Sequence, residues 1–388
     1  MAPTLQTFDL LILGAGPAGT AAAVTACRAG LSTAIIDKAT FPRTKLCGGL
    51  VTGRSAALYR DIFGAPLNAA LFEPRERITF HANGAPLGGD MESPPVYLAM
   101  RWDMDAHLLD MARAAGTADF TGQRITDLDT DALTVTLADG DRLAGRILIG
   151  ADGVNSPVAR ALFGRAFDQG TIGFAMEIEA PPLAPPERDV IRIDLGAADW
   201  GYGWQFPKAG STTIGVGGLN ARNPDMKGRL DAYRDILCED GGARIKGHFL
   251  PFGAYRRVPG RGRVLLAGDA AGLVDPITGE GIAYALQSGA AAATAAADAL
   301  SKERPDAALS AYRRALKPVH RALAMACWLR PLIYSARTRP FFLRAFAASS
   351  VLKGAYLDLL AGHLEYPAIC RLAVRRMPRA IWRHRRRG

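Results

Sequence analysis

The run Gly14-Ala15-Gly16-Pro17-Ala18-Gly19 constrains the fold more than any other feature of the chain. Asp9–Leu13 before it reads as a buried parallel strand. Thr20–Arg28 after it is alanine-rich and reads as a helix, with Gly30 as its stop. Ser32–Asp37 then reads as a second strand that ends in an acid. In such a unit the glycines permit a tight turn, close approach of backbone to a pyrophosphate, and close packing of helix on strand. The unpaired N–H groups at the helix start face the anion. Asp37 follows Gly19 by 18 residues, where a carboxylate accepts hydrogen bonds from ribose hydroxyls. A chance glycine turn leaves this ordered set unexplained. Gly14, Gly16, Ala18, Gly19, Asp37 and the adjoining Lys38 are therefore assigned to a dinucleotide.

At 388 residues the chain exceeds one ordinary domain, so two packed units are expected. Cysteines stand at 27, 47, 238, 327 and 370 with no CxxC pair, which indicates neither a zinc site nor a disulfide framework. A reducing, cytoplasmic setting follows. Charge is uneven. Residues 371–388 hold eight arginines and no acid, so the net +10 leaves only +2 for residues 1–370. That tail suits anionic lipid headgroups on the inner face of a membrane and reads equally as a solvated end. No nucleic-acid partner is expected. No secretory signal is visible before Phe8–Leu13. The apolar stretch near Ala322–Ser335 is broken by Arg330-Pro331, and 285–300 is mostly alanine, so neither reads as a membrane span.

The middle of the chain is strand-like. Arg77–Phe80, Thr134–Leu137, Arg146–Ile149, Thr171–Ile178, Val190–Leu195 and Thr212–Val216 alternate or run apolar between turn signals. Asp139-Gly140 marks a hairpin, and the proline-rich Ala180–Pro186 a loop. Arg263–Ala267 reads as another buried strand, a long helix starts near Gly281 and runs to about Leu300, and the pattern is helical after Pro305.

Four further stretches carry chemistry. Phe41-Pro42-Arg43-Thr44-Lys45-Leu46-Cys47-Gly48-Gly49 follows the second strand, and its glycines let backbone approach a flat ring. Cys47 by itself reads as a small buried hydrophobe. Arg101 precedes a helical pattern that starts after Asp103 and reads as a phosphate or ribose contact or as a surface arginine. Asp152-Gly153 ends a strand ahead of a helix start at Ser156-Pro157. In Gly268–Ile282, Asp269 ends a strand where a carboxylate meets sugar-like hydroxyls, and Gly279 and Gly281 let amides at a helix start face a carbonyl oxygen.

Taken in order, these five stretches resemble the flavoprotein superfamily typified by p-hydroxybenzoate hydroxylase. Within it, FPRTKLCGG resembles the signature of the geranylgeranyl reductase family. Tyr202-Gly-Trp204-Gln-Phe206-Pro207, followed after seven residues by Gly215-Val-Gly217, resembles that family's YxWxFP…GxG motif, which lines the prenyl cavity. Asp199 stands where the family motif often has proline. The resemblance covers roughly residues 8–290 and implies an α/β fold. A Rossmann-like FAD-binding domain (1–75, 97–160 and 255–300) is interleaved with a β-sheet substrate domain (76–96 and 161–254). A helical C-terminal region, 301–388, carries the basic tail.

Carried across, the resemblance gives the pyrophosphate to Gly14, Gly16 and Gly19, the adenosine ribose to Asp37, and the ribose–phosphate region to Arg101. Asp269 takes the ribityl or pyrophosphate part, Gly279 and Gly281 face the pyrimidine edge, and Asp152 touches FAD and the nicotinamide donor. Cys47, with Gly48 and Gly49, falls beside the isoalloxazine, in a functional or a packing role. Without a second GxGxxG, NAD(P)H or another donor meets the flavin with no Rossmann domain of its own.

The implied reaction is FAD-dependent reduction of C=C bonds in a polyprenyl lipid or diphosphate. Tyr202, Trp204 and Phe206 line an apolar tunnel or form the strand's own aromatic core. Cys47 or Tyr202 relays the proton. Arg43 and Lys45 meet a diphosphate head or belong to a solvated loop. An aromatic or polyketide monooxygenase on the same scaffold is the first rival. A flavin-dependent halogenase is the second, since its WxWxIP motif falls in register with Tyr202–Pro207, with Tyr for Trp and Phe for Ile.

Overall fold

The computed structural model describes residues 4–371. Its first sheet has eight strands. Leu5–Leu13 lies at the centre, parallel to Arg142–Gly150 on one side and to Thr33–Asp37 on the other. Val264–Leu266 and Ala118–Thr121 extend the parallel set outward, and Gly260–Arg261 closes one edge. A hairpin of Ile125–Asp129 and Thr134–Leu137 adds to Arg142–Gly150 by antiparallel pairing through Asp139-Gly140. Leu10, Leu11, Ile12 and Leu13 are at most 1% exposed, as a parallel strand covered on both faces requires.

Helices Pro17–Arg28 and Ile282–Ser301 pack against each other on this sheet. Both are rich in alanine, so their backbones approach closely. A Cβ on Gly289 would lie 2.0 Å from the Ala18 carbonyl oxygen. The alanines of the long helix are buried against the sheet core.

The second sheet has nine strands. Its path runs Lys246–Leu250, Gly173–Ala180, Thr212–Leu219, Tyr202–Pro207, Val190–Asp194, Glu73–Ala82, Met91–Leu98 and Leu50–Val51. Ala85–Pro86 pairs with Glu73–Ala82 beside it. Only the pairing of Val190–Asp194 with Glu73–Ala82 is parallel. The strand Leu50–Val51, expected with the first unit, edges this sheet.

Helices Lys317–Tyr334, Arg339–Ala348 and Ser350–Ala361 lie beyond the two sheets. Phe346, Leu357 and Leu360 share one core with Phe80, Trp204 and Phe206 of the second sheet. The expected α/β plan with two sheets and a helical C-terminal region is thus present. Arg330-Pro331 interrupts the apolar character of 322–335 but not its helix, because Pro331 falls in the last turn, where its missing N–H removes a single i→i−4 bond. One local expectation changes. Arg101 does not precede its helix but opens it, in Arg101–Ala114. Among the described residues no helix is long and apolar enough to cross a membrane. The arginine-rich tail lies outside the described residues from residue 372 onward.

Candidate active site

Gly14 leaves the first strand with φ +102°, and a Cβ there would lie 2.3 Å from the Ala151 carbonyl oxygen. Only glycine makes this turn against the neighbouring strand end. The turn is braced by Asp37, whose Oδ2 accepts the Ala15 N–H at 2.9 Å and whose Oδ1 accepts the Ala39 N–H at 2.9 Å. The helix Pro17–Arg28 begins at Gly16 with no side chain capping it. Its first N–H groups are left for a ligand, at the positive end of the helix dipole.

A cavity of about 730 Å³ adjoins this helix start. Gly14, Gly16, Ala18, Asp37 and Lys38 line it. So do Cys47, Gly48, Gly49, Arg101 and Asp152, and from the far half of the chain Asp269, Gly279 and Gly281. Tyr202, Trp204, Phe206 and Gly217 supply the wall from the second sheet. Period-two alternation turns 202, 204 and 206 to one face. Gly19 and Gly215 lie behind this surface. A Cβ on Gly19 would meet the Gly14 oxygen at 1.8 Å, so it serves the turn. A Cβ on Gly215 would meet the Trp204 ring at 2.3 Å, so it seats the indole.

Arg101 is buried, and its guanidinium grips Asp105 one helical turn on, at 2.8 and 2.9 Å. Arg43 shares that carboxylate at 3.1 Å. Burial works against the charge on Arg101, but Asp105 outweighs it and raises the pKa further. Two guanidiniums on one carboxylate leave one net positive charge at the cavity wall.

Lys45 is not part of a solvated loop. Its ammonium lies 3.0 Å from His248 Nε2 on the strand Lys246–Leu250. His248 Nδ1 lies 2.6 Å from the Phe249 carbonyl oxygen, which can only accept. Nδ1 therefore carries the proton, and Nε2 accepts from Lys45. Burial pulls the Lys45 pKa down, against the opposing charge of Asp269. Burial and then Lys45 lower that of His248.

Beneath the Cys47-Gly48-Gly49 turn lies Glu177, 2% exposed, whose Oε1 accepts the Cys47 N–H at 3.0 Å. Its other oxygen has no partner. Burial pushes its pKa up to about 7; neighbouring Glu179 adds to this, while the Cys47 N–H, Lys208 and Lys246 oppose it. Cys47 Sγ accepts the Gly49 N–H at 3.4 Å. Gly49 has φ +81°, and its missing Cβ would lie 2.1 Å from the Ala99 oxygen. Tyr202 donates its hydroxyl proton to the Thr278 carbonyl at 2.6 Å, and burial drives its pKa far above the usual value.

Glu280, between the two cavity glycines, accepts from the Thr52 hydroxyl and lies 3.9 Å from Arg54. Burial raises its pKa to about 7. Arg124, Thr52, His248, Glu280 and Leu360 line the cavity without having been singled out from the sequence. No local signal marks them. His248 is 203 residues from Lys45 and Glu280 is 226 from Arg54, so only the fold joins them.

Two buried polar atoms on the cavity wall lack partners. One is Asp152 Oδ1, on a carboxyl that burial pushes up to about 6. The other is the Trp204 indole N–H, which sits against Gly48. An orphaned acceptor suits a sugar-like hydroxyl, and the open helix start suits a pyrophosphate. The cavity lies within the size range of cofactor pockets. The residues present thus fit FAD.

Residues 7–189 and 254–326 match the FAD binding domain family. The chain is 32% identical over 316 residues to a menaquinone reductase of Mycobacterium tuberculosis, covering 74% of this chain and 76% of the relative. It is 30% identical over 313 residues to a geranylgeranyl diphosphate reductase of Rhodobacter capsulatus, covering 77% of each. Among solved structures it resembles a geranylgeranyl bacteriochlorophyll reductase-like protein of Thermoplasma acidophilum. That match has a TM-score of 0.79 at 21% identity and covers 94% of this chain and 97% of the other. It also resembles a flavin-dependent brominase, with a TM-score of 0.73 at 20% identity over 97% and 100% of the two chains. At these identities the structural matches show the fold.

Proposed function

The chain belongs to the FAD binding domain family and is an FAD-dependent oxidoreductase of the geranylgeranyl reductase type, and from that premise we propose that it reduces C=C bonds in the polyprenyl chain of a hydrophobic isoprenoid. The observation that carries the reading is the wall of Tyr202, Trp204 and Phe206, which packs edge to face or tilted above the Cys47-Gly48-Gly49 turn. A prenyl chain offers nothing to hydrogen-bond, so an aromatic wall is the surface that holds it. Geranylgeranyl groups and menaquinones both carry such chains, which is what the relatives' names have in common.

FAD, when bound, supplies the redox chemistry. In this reading the turn Gly14–Gly19 and the helix start hold the pyrophosphate, and Asp37 and Lys38 the adenosine ribose. The net positive charge of the Arg43, Arg101 and Asp105 cluster faces the phosphates. Asp152 and Asp269 take the sugar-like hydroxyls, and Gly279 and Gly281 the pyrimidine edge. NAD(P)H is the proposed electron donor. Of the two proton relays, Cys47 is favoured over Tyr202. The Tyr202 proton is committed to the Thr278 oxygen, and leaving a phenolate in that buried place is unfavourable. The tail 371–388 adds attraction to an anionic lipid surface at about 1 kcal/mol per arginine near the headgroups.

The test is to reduce the purified yellow protein without oxygen and add a geranylgeranyl lipid. Flavin reoxidation, with product mass rising by two hydrogens per bond, supports the proposal. Turnover that requires O2 and adds an oxygen or a halogen would place the chain with the monooxygenases or halogenases instead.

A further inference from the structure

Between Asp306 and Asp358 the sequence has no acidic residue and nine lysines and arginines. This stretch includes the helix Lys317–Tyr334, the helix Arg339–Ala348 and the start of Ser350–Ala361. Exposure along these helices is periodic. On the first, Lys317, Arg321, Ala324, Trp328 and Leu332 are exposed at spacings of three and four, so they form one stripe. The stripe is basic at its start and apolar at its end. On the second, Arg337 just ahead of it, then Phe341, Arg344 and Ala348, repeat the pattern. The Arg344 guanidinium lies 4.9 Å from the centre of the Phe341 ring. Val351 and Leu352 follow on the third.

The distribution of exposed apolar side chains is lopsided. Eight large ones are exposed among the described residues, and five of them fall between 328 and 352. Trp328 and Phe341 are each 67% exposed, more than any of the others. The opposite faces of the same helices hold buried residues: Ala326 and Leu329, Phe346, and Leu357 and Leu360. The outward face is thus not left over from poor packing. It is the second face of helices already packed, and it pairs aromatic rings with cations and no anions.

We propose that this face, centred on Trp328, Leu332 and Phe341 and ringed by Lys317, Arg321, Arg337 and Arg344, docks on an anionic lipid bilayer. Aromatic and aliphatic side chains enter the headgroup boundary, and the arginines meet lipid phosphates. A second copy of the chain is a poor occupant, because it would set the same acid-free face against this one. The face is built from residues other than those of the tail 371–388, and it does not depend on which isoprenoid is the substrate. Its position has a consequence for access all the same. Leu360, on the helix that begins at this face, lines the cavity, so one helix joins the docking face to the site.

The test uses the full-length protein with vesicles of phosphatidylglycerol or of phosphatidylcholine, and the double variant Trp328→Ser/Phe341→Ser. Both positions are solvent-exposed, so the fold and flavin content are expected to be unchanged. Wild type should sediment with the anionic vesicles and far less with the neutral ones. The double variant should partition about a hundredfold more weakly, about tenfold per side chain, which is below the value of full burial. Brominated lipid should quench a part of the tryptophan emission that Trp328→Phe removes. The proposal is overturned if the double variant sediments like wild type, or if Trp328→Phe leaves the quenching unchanged, since the tail would then act alone. It is equally overturned if wild type prefers neutral vesicles or binds neither.

Discussion

Glu177→Gln isolates the energy stored under the Cys47 turn. The carboxyl is buried, one oxygen holds the Cys47 N–H, and the other has no partner. Its folded pKa of about 7 stands above the ordinary glutamate value of 4.5. A raised folded pKa means that the folded state binds the proton more tightly than the unfolded one. The associated stability is fully present below pH 4.5 and is lost as pH rises through 7. At about 1.4 kcal/mol for each tenfold in proton affinity, the gap amounts to about 3 kcal/mol. Glutamine keeps the acceptor for Cys47 and cannot ionise. The variant should therefore lie within about 1 kcal/mol of wild type at pH 5 and exceed it by up to about 3 kcal/mol at pH 8.5, a rise of roughly 5 °C in Tm. Thermal melts of the two proteins at equal flavin occupancy from pH 5 to 8.5 measure this. The charged neighbours are Glu179 on the same strand, Lys208 at the end of the aromatic strand and Lys246 on the adjacent strand. A variant less stable than wild type at pH 8.5 would show that these lysines hold the carboxylate charged and would refute the raised pKa. A Tm difference that does not change with pH would refute the reasoning outright.

Gly48→Ala places a methyl 2.7 Å from two Phe206 ring carbons and 3.1 Å from the Trp204 indole nitrogen. It should lower turnover by about tenfold or more while flavin stays bound, at a stability cost of about 1–3 kcal/mol; steady-state assay and melting check both. Gly14→Ala combines φ +102° with a 2.3 Å approach to the Ala151 oxygen, so the protein should purify colourless, read from its absorbance near the flavin band. Lys45→Met removes the charge that, after burial, holds the His248 pKa down, so the His248 titration should move up in an NMR pH series while the ring stays tied to the Phe249 oxygen.

The parts of the site that were legible in the sequence are those with local rules. The glycine turn, its helix and Asp37 obey spacing, so they could be placed before any contact was known, whereas Tyr202–Pro207 was found through the resemblance of its motif and its strand was not. The Arg101 motif was found, but its helix was started three residues late, because the grip of Arg101 on Asp105 is invisible in one dimension. The Lys45–His248 and Arg54–Glu280 pairs have no local signature at all, since chain topology alone brings them together. The pKa of Glu177 is likewise a property of burial: its strand reads as an ordinary alternating one, and nothing in Glu177–Glu179 tells which carboxyl faces the Cys47 turn.

The central sheet has a consequence for biosynthesis. Its middle strand, Leu5–Leu13, finds neighbours at Thr33–Asp37 and then Arg142–Gly150, but its first helix finds its main partner only at Ile282–Ser301. At ribosomal speeds of about 5–20 residues per second, the helix Pro17–Arg28 waits roughly 15 to 60 s before that partner exists. During that interval the alanine-rich face that this helix turns to its partner has no lasting cover. Such a nascent chain is a natural client for a holdase that shields its first helix until the long alanine-rich helix emerges, and truncations ending before residue 282 should accumulate as aggregates rather than as smaller folded enzymes.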